Sequence, residues 1–400
     1  MHQHPQDEQF MQEALQLGVY ALGRTAPNPS VGAVIVNHDE VVGRGWTQPV
    51  GEAHAEIVAL REAGLKANGS TLYVTLEPCS HHGRTPPCID AIIQARVARC
   101  VVAVEDPFAL VSGQGIARLR AAGIRVDVGL HSPEAAELHA GYFMRIRNGR
   151  PLVRAKYAMT LDGRIATRTG NSQWITGPMA RRHAHVLRDR SDAVLVGAGT
   201  VQSDDPSLTT RLPEEFTGDG GAHHALRIVL DGRGTTSPAA TVYDAHLPGH
   251  TLVVTTAAAS QEWLRAIGAH GGEPFVCGDG PVVDIERLLQ ELGRRGINEL
   301  LVEGGGSIFG SFFNAGFVDR VAVFIAPIVI GGSTAPGPVG GEGVEVVAKA
   351  WRISSLQSRW LGGDLMLEGT VSGPPFDGRG HLNVYWRNRR NWLDRGRIRA

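Results

Sequence analysis

The residues with the clearest chemical potential lie close together in the first quarter of the chain. His54 and Glu56 form a His-x-Glu pair, and Cys79 and Cys88 follow, with eight residues between them. One imidazole and two thiolates are ligands that a catalytic zinc uses when its fourth position stays open for water. A carboxylate two residues from a ligand can exchange protons with that water without binding the metal. The spacing therefore predicts a metal site of His54, Cys79 and Cys88, with Glu56 as the catalytic proton carrier.

The number of ligands distinguishes a catalytic zinc from a structural one. A structural zinc usually has four Cys or His ligands, and His81 or His82 between the two cysteines could supply the fourth. In zinc deaminases, by contrast, a glutamate placed like Glu56 takes a proton from water and delivers it to the leaving ammonia. The residues favour the deaminase interpretation, with a structural zinc as the alternative.

Two glycine-rich turns in the second half follow predicted strands. One is Glu303-Gly304-Gly305-Gly306-Ser307, and the other contains Gly197-Ala198-Gly199. Backbone N–H groups at a strand-to-helix turn can meet a phosphate. Glycine also serves ordinary tight turns, and neither segment is the G-x-G-x-x-G of a common dinucleotide site. These turns alone therefore leave the ligand of this half open.

Apolar periodicity places the metal-site residues in an alternating α/β pattern. A helix is predicted from Asp7 to a stop at Gly23, and another from about His54 to Ala63. Further helices are predicted near Pro86 and over Gly115–Ala121, and strands over Val31–Val36, Val41–Trp46, Thr71–Leu76, Cys100–Val104 and Ile124–Val128. This alternation indicates an α/β domain with a parallel or mixed sheet.

The pattern restarts around Asn148-Gly149-Arg150-Pro151, which predicts a domain boundary. Strands are predicted over Leu152–Ala158, Ala193–Val196, Ile228–Leu230, Leu252–Thr255, Leu300–Val302 and Val321–Ile325, helices over Pro178–Arg190 and Ile285–Arg295, and a loop over Gly331–Gly343. We expect domains at residues 1–148 and 149–371, and a basic C-terminal tail at 372–400. Between Asp377 and Arg399 this tail holds seven arginines and two aspartates, and we expect a disordered tail rather than a nucleic-acid-binding segment.

Bulk composition excludes several classes of protein. The formal net charge of −1 gives no reason to expect nucleic acid or an acidic membrane as a partner. No apolar run approaches the roughly 20 residues of a membrane span, and the N-terminus has no signal-peptide pattern. Four scattered cysteines do not form a disulfide framework. We therefore expect a cytoplasmic protein.

The motifs together resemble a known family. His54-Ala55-Glu56, the run from Glu77-Pro78-Cys79 to Pro86-Pro87-Cys88, and Pro27-Asn28-Pro29 are similar to the bifunctional riboflavin-biosynthesis deaminase/reductase over about residues 7–370. The resemblance implies a cytidine-deaminase-like three-layer α/β/α domain followed by a dihydrofolate-reductase-like α/β domain. It implies one zinc ion per deaminase site, NADPH, a small-molecule pyrimidine ribotide as substrate, and a homo-oligomer.

The activity that the resemblance implies has two steps. The first is hydrolytic deamination of 2,5-diamino-6-ribosylamino-4(3H)-pyrimidinone 5′-phosphate. The second is NADPH-dependent reduction of the ribosyl group, which gives 5-amino-6-ribitylamino-uracil 5′-phosphate. A deaminase of another pyrimidine nucleotide with a fused reductase-like domain, and a non-catalytic zinc-binding assembly protein, are the alternatives.

Substrate contacts in the deaminase half also follow from the resemblance. Asn28 should hydrogen-bond the pyrimidine, and the loop His81–Pro87, with His82, should cover the base. An Asn-Pro turn is the other interpretation of Asn28, and solvated loop histidines the other interpretation of His81 and His82. The family usually has Asp-Pro-Asn-Pro after the next strand, whereas this chain has Asp106-Pro107-Phe108-Ala109. The rim of the pocket therefore differs from the family pattern.

Reductase residues are carried over in the same way. The cofactor should contact Ala158, Trp174, Thr200, Asp204, Gly305, Gly306, Ser307, Ile308, Phe309, Gly310 and Ser311. The substrate should contact Ser172, Arg188, Leu208, Arg211 and Glu303, and the two arginines suit a ribose 5-phosphate. Lys156 and Asp204 are the candidate catalytic proton donors, with a plain ion pair as the alternative for each. Many relatives have a cofactor-binding serine where this chain has Gly232-Arg233-Gly234, so Arg233 either pairs with a 2′-phosphate or is a solvated turn residue.

Overall fold

The computed structural model describes residues 6–81, 86–109, 111–216 and 221–373. Its described residues divide into two compact units. One unit combines the residues up to Leu152 with Arg182–Leu301, and the other combines Val153–Arg181 with the residues from Val302 onward. His82 and the arginine-rich tail from 374 onward lie outside the described residues.

The first 148 residues form a five-stranded mixed sheet with six helices among the described residues. The strands are β1 (Gly32–Asn37), β2 (Glu40–Trp46), β3 (Thr71–Val74), β4 (Arg99–Val102) and β5 (Arg125–Val128), in the order β2-β1-β3-β4-β5. The helices are α1 (Asp7–Tyr20), α2 (Ala55–Ala63), α3 (Cys88–Gln94), α4 (Gln114–Ala121), α5 (Ser132–Leu138) and α6 (Ala140–Asn148). Strand β1 is antiparallel to β2 and β3, whereas β3, β4 and β5 are parallel.

Glycines let helices α1 and α2 pack directly on the backbone of this sheet. A Cβ atom on Gly32 would overlap the carbonyl oxygen of Ala14 in α1, and one on Gly45 would overlap that of Ala55 in α2. Gly45 pairs with Ala33, the neighbour of Gly32, and successive residues of a strand face opposite sides of the sheet. Helices α1 and α2 therefore cover opposite faces, which makes a three-layer α/β/α domain as expected.

The remaining chain contains nine further strands and five further helices among the described residues. In chain order they are β6 (Leu152–Thr160), α7 (Pro178–Arg190), β7 (Ala193–Gly197), α8 (Ala198–Asp204), β8 (Leu226–Leu230), β9 (Thr251–Thr255), α9 (Gln261–His270), β10 (Gly272–Val276), α10 (Ile285–Arg294), β11 (Glu299–Val302), α11 (Gly306–Asn314), β12 (Arg320–Ala326), β13 (Arg352–Leu361) and β14 (Asp364–Ser372).

Strand direction differs between the two units. In the first unit, β7, β8, β9 and β10 are parallel neighbours, and the runs of Val and Leu in β7 and β9 are completely buried. In the second unit, β6 is parallel to β12, whereas β14 is antiparallel to both β12 and β13. A Gly362-Gly363 turn joins β13 to β14, and Gly362 has the positive φ that a tight hairpin requires.

Comparison with the sequence predictions shows where periodicity succeeds. Every predicted strand is present within a few residues, and helix Pro178–Arg190 has the predicted bounds. The helix expected after the glycine-rich turn at 303–307 is α11, whereas α8 was missed because it begins in the other glycine-rich turn, which is typical of a loop. Strand β13 was missed because it is largely exposed and lacks the alternation of a half-buried strand.

Candidate active site

The three predicted metal ligands form a compact group in the structure. The ligand atoms of His54, Cys79 and Cys88 all lie within 4.8 Å of one another. His54 Nδ1 is 3.2 Å from Cys88 Sγ and 3.6 Å from Cys79 Sγ. A tetrahedral zinc with ordinary bond lengths places its nitrogen and sulfur ligands about 3.5 Å apart. The donor set therefore fits zinc, and no other described His, Cys, Asp or Glu joins the group.

Ends of secondary-structure elements bring these ligands together. His54 is the N-cap residue of α2, Cys79 follows β3, and Cys88 is the first residue of α3. The backbone N–H of Cys88 donates to Cys79 Sγ at 3.2 Å. Unpaired N–H groups at a helix start favour negative charge, so the sulfur of Cys79 lies where a thiolate is stabilised.

Electrostatics at the site favour one ionised sulfur before any metal binds. The pKa of Cys79 is lowered to about 4, because the Cys88 side chain hydrogen-bonds to its sulfur and His54 does so as well. A thiolate is the form that binds metal. Burial raises the pKa of Glu56 above its usual range, and this side chain is only 4% exposed. A buried carboxyl group beside the three ligands is therefore available to hold a proton.

A cleft of about 380 Å³ opens onto the metal group and is large enough for a nucleotide-sized ligand. Its lining includes His54, Glu56 and Cys79 together with Asn28 and His81. The backbone N–H of Asn28 donates to Thr25, but its side-chain amide makes no hydrogen bond with a described residue. His81 Nδ1 is buried without a partner among the described residues. Both side chains therefore keep polar atoms for a ligand in the cleft.

Glu77 also lines the cleft and organises the segment that follows β4, a role that the sequence did not indicate. Its two carboxylate oxygens accept four backbone N–H groups, from Asp106, Gly113, Gly115 and Ile116. These bonds attach the segment 106–116 to the turn that carries Cys79. Hydrogen bonds to four distant backbone N–H groups leave no periodic pattern in the sequence. The sequence therefore marked Glu77 only through its place in the Glu-Pro-Cys motif.

The departure from the family pattern at 106–109 places an aromatic ring in the cleft. Phe108 packs edge-on against His81, with 5.7 Å between the ring centroids. Asp106 accepts a hydrogen bond from the Tyr142 hydroxyl at 3.2 Å, and burial raises the pKa of Asp106 to about 6. Tyr142 and Arg145, both on α6, also line the cleft, and neither was predicted from the sequence.

The first unit brings the predicted phosphate-binding arginines to one neighbourhood. Arg188 on α7 donates to the carbonyl of Thr209 at 3.2 Å, and the backbone N–H of Arg211 donates to His185 on the same helix. Leu208, which precedes Thr209 in the chain, is buried. Thr200 lies on α8, and Asp204 is the exposed last residue of that helix.

The second unit contains the other predicted reductase residues. Lys156 and Ala158 lie on β6, and Lys156 Nζ is 5.6 Å from the centroid of the Phe324 ring. Trp174 is 68% exposed, and the Arg181 guanidinium lies 4.7 Å from its ring centroid, while the nearby Ser172 is half-buried.

The predicted glycine turn is a strand-to-helix connection in the structure. Glu303 and Gly304 follow β11, Gly305 is the N-cap residue of α11, and this helix carries Gly306, Ser307, Ile308, Phe309, Gly310 and Ser311. A Cβ atom on Gly310 would overlap the carbonyl oxygen of Gly340, so glycine is required there for close packing. The first-turn N–H groups of α11 suit a cofactor phosphate.

Among the described residues, none of the helices combines the length and the hydropathy that a membrane span requires.

The α/β/α layers, the His-Cys-Cys group and the adjacent buried glutamate define a zinc-dependent deaminase joined to a second α/β part. Comparison with known proteins agrees: residues 4–104 match the cytidine and deoxycytidylate deaminase zinc-binding region, and residues 151–367 match the RibD C-terminal domain. The chain belongs to the RibD family of riboflavin biosynthesis proteins.

Individual relatives cover nearly the whole chain. The riboflavin biosynthesis protein RibD of Escherichia coli is 41% identical over 373 residues, which is 90% of this chain and 98% of the relative. The RibD of Bacillus amyloliquefaciens is 40% identical over 384 residues, covering 96% of this chain and 100% of the relative.

Solved structures show the same relationship. Acinetobacter baumannii RibD has a TM-score of 0.80 at 35% identity, covering 92% of this chain and 99% of that one. The diaminohydroxyphosphoribosylaminopyrimidine deaminase/5-amino-6-(5-phosphoribosylamino)uracil reductase of Thermotoga maritima has a TM-score of 0.78 at 32% identity. The match covers 93% of this chain and 100% of that one. The chain is thus a bifunctional deaminase and reductase of riboflavin biosynthesis that uses zinc and NADPH.

Proposed function

We propose that this enzyme deaminates 2,5-diamino-6-ribosylamino-4(3H)-pyrimidinone 5′-phosphate and then reduces the ribosyl group of the product to a ribityl chain. The observation that carries the first step is the cleft in which His54, Cys79 and Cys88 adjoin the buried Glu56 and the free amide of Asn28. The Thermotoga maritima relative is named for deamination of a diaminohydroxyphosphoribosylaminopyrimidine, which supports the choice of substrate.

In the deaminase half, we assign each residue one task. His54, Cys79 and Cys88 hold zinc, which when bound supplies Lewis-acid activation of water. Glu56 takes a proton from the attacking water and passes it to the departing amine, so that C–NH₂ and H₂O become C=O and NH₃. Asn28 orients the pyrimidine through its unpaired amide, and His82 belongs to the loop that covers the base. Burial around Glu56 keeps bulk water from competing for the proton.

In the reductase half, NADPH when bound supplies a hydride to C1′ of the opened ribose. We propose that Ala158, Trp174, Thr200, Asp204 and Gly305–Ser311 position this cofactor, and that Arg233, which is exposed, meets its 2′-phosphate. Ser172, Arg188, Leu208, Arg211 and Glu303 bind the substrate. Lys156 or Asp204 delivers the proton that the reduction also requires.

The organisation of the chain is part of the proposal. Residues 1–148 form the deaminase domain, 149–371 the reductase domain, and 372–400 a basic tail. The enzyme is a homo-oligomer in the cytoplasm, where a reducing environment keeps Cys79 and Cys88 free to bind zinc.

Product masses test the whole proposal. The purified chain is given the diamino pyrimidinone ribotide with and without NADPH. Without NADPH, we expect one product in which oxygen has replaced an amino group, together with free ammonia. With NADPH, we expect that product to gain two hydrogens. Turnover of free cytidine without turnover of the ribotide would instead identify a deaminase of another pyrimidine.

Arg211→Gln tests the assignment in the reductase half. Loss of a charge-assisted bond to the ribose phosphate should raise the reductase KM for the deaminated ribotide about 10-fold or more and leave the KM for NADPH unchanged. Arg265→Gln removes an exposed arginine on α9 and is the matched control. An equal rise in both KM values for Arg211→Gln would contradict the phosphate role.

A further inference from the structure

The deaminase cleft contains several acidic side chains but one permanent cation among its described lining residues. The acidic residues are Glu52, Glu56, Glu77 and Asp106, and the cation is Arg145 on α6. Glu77 and Asp106 are already occupied by backbone N–H groups, and Asp106 also by the Tyr142 hydroxyl. Arg145 is therefore the described group in this cleft that suits an anion.

Neutral acceptors fix the Arg145 guanidinium without cancelling its charge. Nε donates to the side-chain oxygen of Asn298 at 2.7 Å, and Nη2 donates to the carbonyl oxygen of Pro27 at 2.6 Å. Nη1 makes no hydrogen bond with a described residue. The Tyr142 ring centroid lies 5.7 Å from the guanidinium carbon. Because Nε and Nη2 are held by these acceptors, the guanidinium presents Nη1 to a ligand in a fixed orientation.

The negative charge of the nearby Asp192 does not neutralise Arg145. Asp192 attracts the guanidinium, but one of its oxygens accepts the backbone N–H groups of Asn298 and Glu299, and Asp192 makes no ion pair with Arg145. Burial lowers the pKa of Arg145, which means that the surroundings penalise its charge. A half-buried cation without a paired carboxylate gains from a negatively charged ligand.

The same contacts join Arg145 to the segment that recognises the base. Asn298 Nδ2 donates to the carbonyl oxygen of Asn28 at 3.4 Å, while Arg145 holds the carbonyl of the preceding Pro27. Asn298 lies just before β11, in the stretch that matches the RibD C-terminal domain. A residue from the reductase part of the sequence thus positions two groups of the deaminase cleft.

We propose that Arg145 binds the substrate phosphate in the deaminase cleft through Nη1, and that Asn298 positions it for this role. The inference rests on the proposed function, because it takes the substrate to be a ribotide. When the pyrimidine of a ribotide contacts Asn28, the phosphate of the same molecule enters this cleft. Among the described residues that line the cleft, Arg145 is the permanent cation. The bond is charge-assisted and makes the deaminase selective for the phosphorylated compound.

Steady-state deamination of two substrates tests the proposal. One is the diamino pyrimidinone ribotide, and the other is its dephosphorylated riboside, whose inhibition constant replaces KM if turnover is too slow. For Arg145→Gln we expect the ribotide KM to rise about 10- to 100-fold, with kcat and the riboside constant unchanged. Arg145→Lys keeps the charge and should recover part of the loss. Arg147→Gln removes an exposed arginine from the same helix and should behave like the parent enzyme.

Inorganic phosphate provides a second measurement. It should inhibit ribotide deamination competitively in the parent enzyme and in Arg147→Gln, and much less in Arg145→Gln. Equal losses for ribotide and riboside in Arg145→Gln would overturn the proposal, since they would show that Arg145 only supports the Pro27–Asn28 segment. If Arg145→Gln does not fold or does not retain zinc, the parent enzyme alone tests the proposal. Equal KM or inhibition constants for ribotide and riboside in the parent enzyme would then overturn it. A parent enzyme that deaminates neither compound refutes the proposed function instead.

Discussion

Replacing Glu56 by glutamine is expected to lower deamination at least about 10³-fold and to leave the reductase reaction intact. Proton transfer by a positioned carboxyl group contributes about 10²–10⁴-fold to an enzymatic rate, and here one group both receives and delivers the proton. The amide of glutamine fills the same buried space but cannot carry a proton between water and the leaving amine. Ammonia release measures the first activity, and NADPH oxidation with the deaminated ribotide measures the second.

The control for this variant comes from the same helix. Glu62 is exposed on α2 and accepts the backbone N–H of Arg44, a bond that a glutamine can keep. Glu62→Gln should therefore deaminate like the parent enzyme. Zinc content should be equal in all three proteins, because Glu56 is not a member of the metal-binding group. A Glu56→Gln protein that still deaminates the ribotide at the parent rate would show that another group moves the protons.

Cys88→Ser should remove zinc and deamination together. Mutation of groups that merely surround a metal ligand already costs about 10–100-fold in affinity, so loss of a ligand should cost more. Serine keeps the shape of the side chain but is not a thiolate, and only the ionised sulfur binds zinc strongly. We expect zinc per chain to fall from one toward zero after dialysis, with deaminase activity falling in proportion, while the reductase activity persists.

A buried cysteine elsewhere in the chain serves as the comparison. Cys277 is buried, and its sulfur lies 3.3 Å from the carbonyl oxygen of Asp284, a bond that a serine hydroxyl can also make. Cys277→Ser should keep full zinc and full deamination. Added zinc should partly restore Cys88→Ser if the ligand assignment is right. Full metal content and full activity in Cys88→Ser would refute that assignment.

Helix α6 shows where periodicity fell short for the fold. Apolar periodicity predicted α1, α2 and the strands of the first sheet, because their buried faces repeat with the period of the element. It predicted no element between Val128 and the restart at Asn148, where α5 and α6 form two short helices. Two consecutive short helices give too few turns for a clear amphipathic period. Two cleft-lining residues, Tyr142 and Arg145, were missed with them.

Local sequence by itself determined the metal group, because each ligand lies in a short motif at the end of an element. His54 caps the helix that carries Glu56, and Cys88 begins α3, so helix starts orient these side chains locally. Only the tertiary structure decided how the rest of the cleft is completed. Arg145 and Asn298 are 153 residues apart, and Glu77 collects donors 29 to 39 residues away. Such partners carry no signal in spacing, because their charges and hydrogen bonds are matched only after the backbone has brought them together.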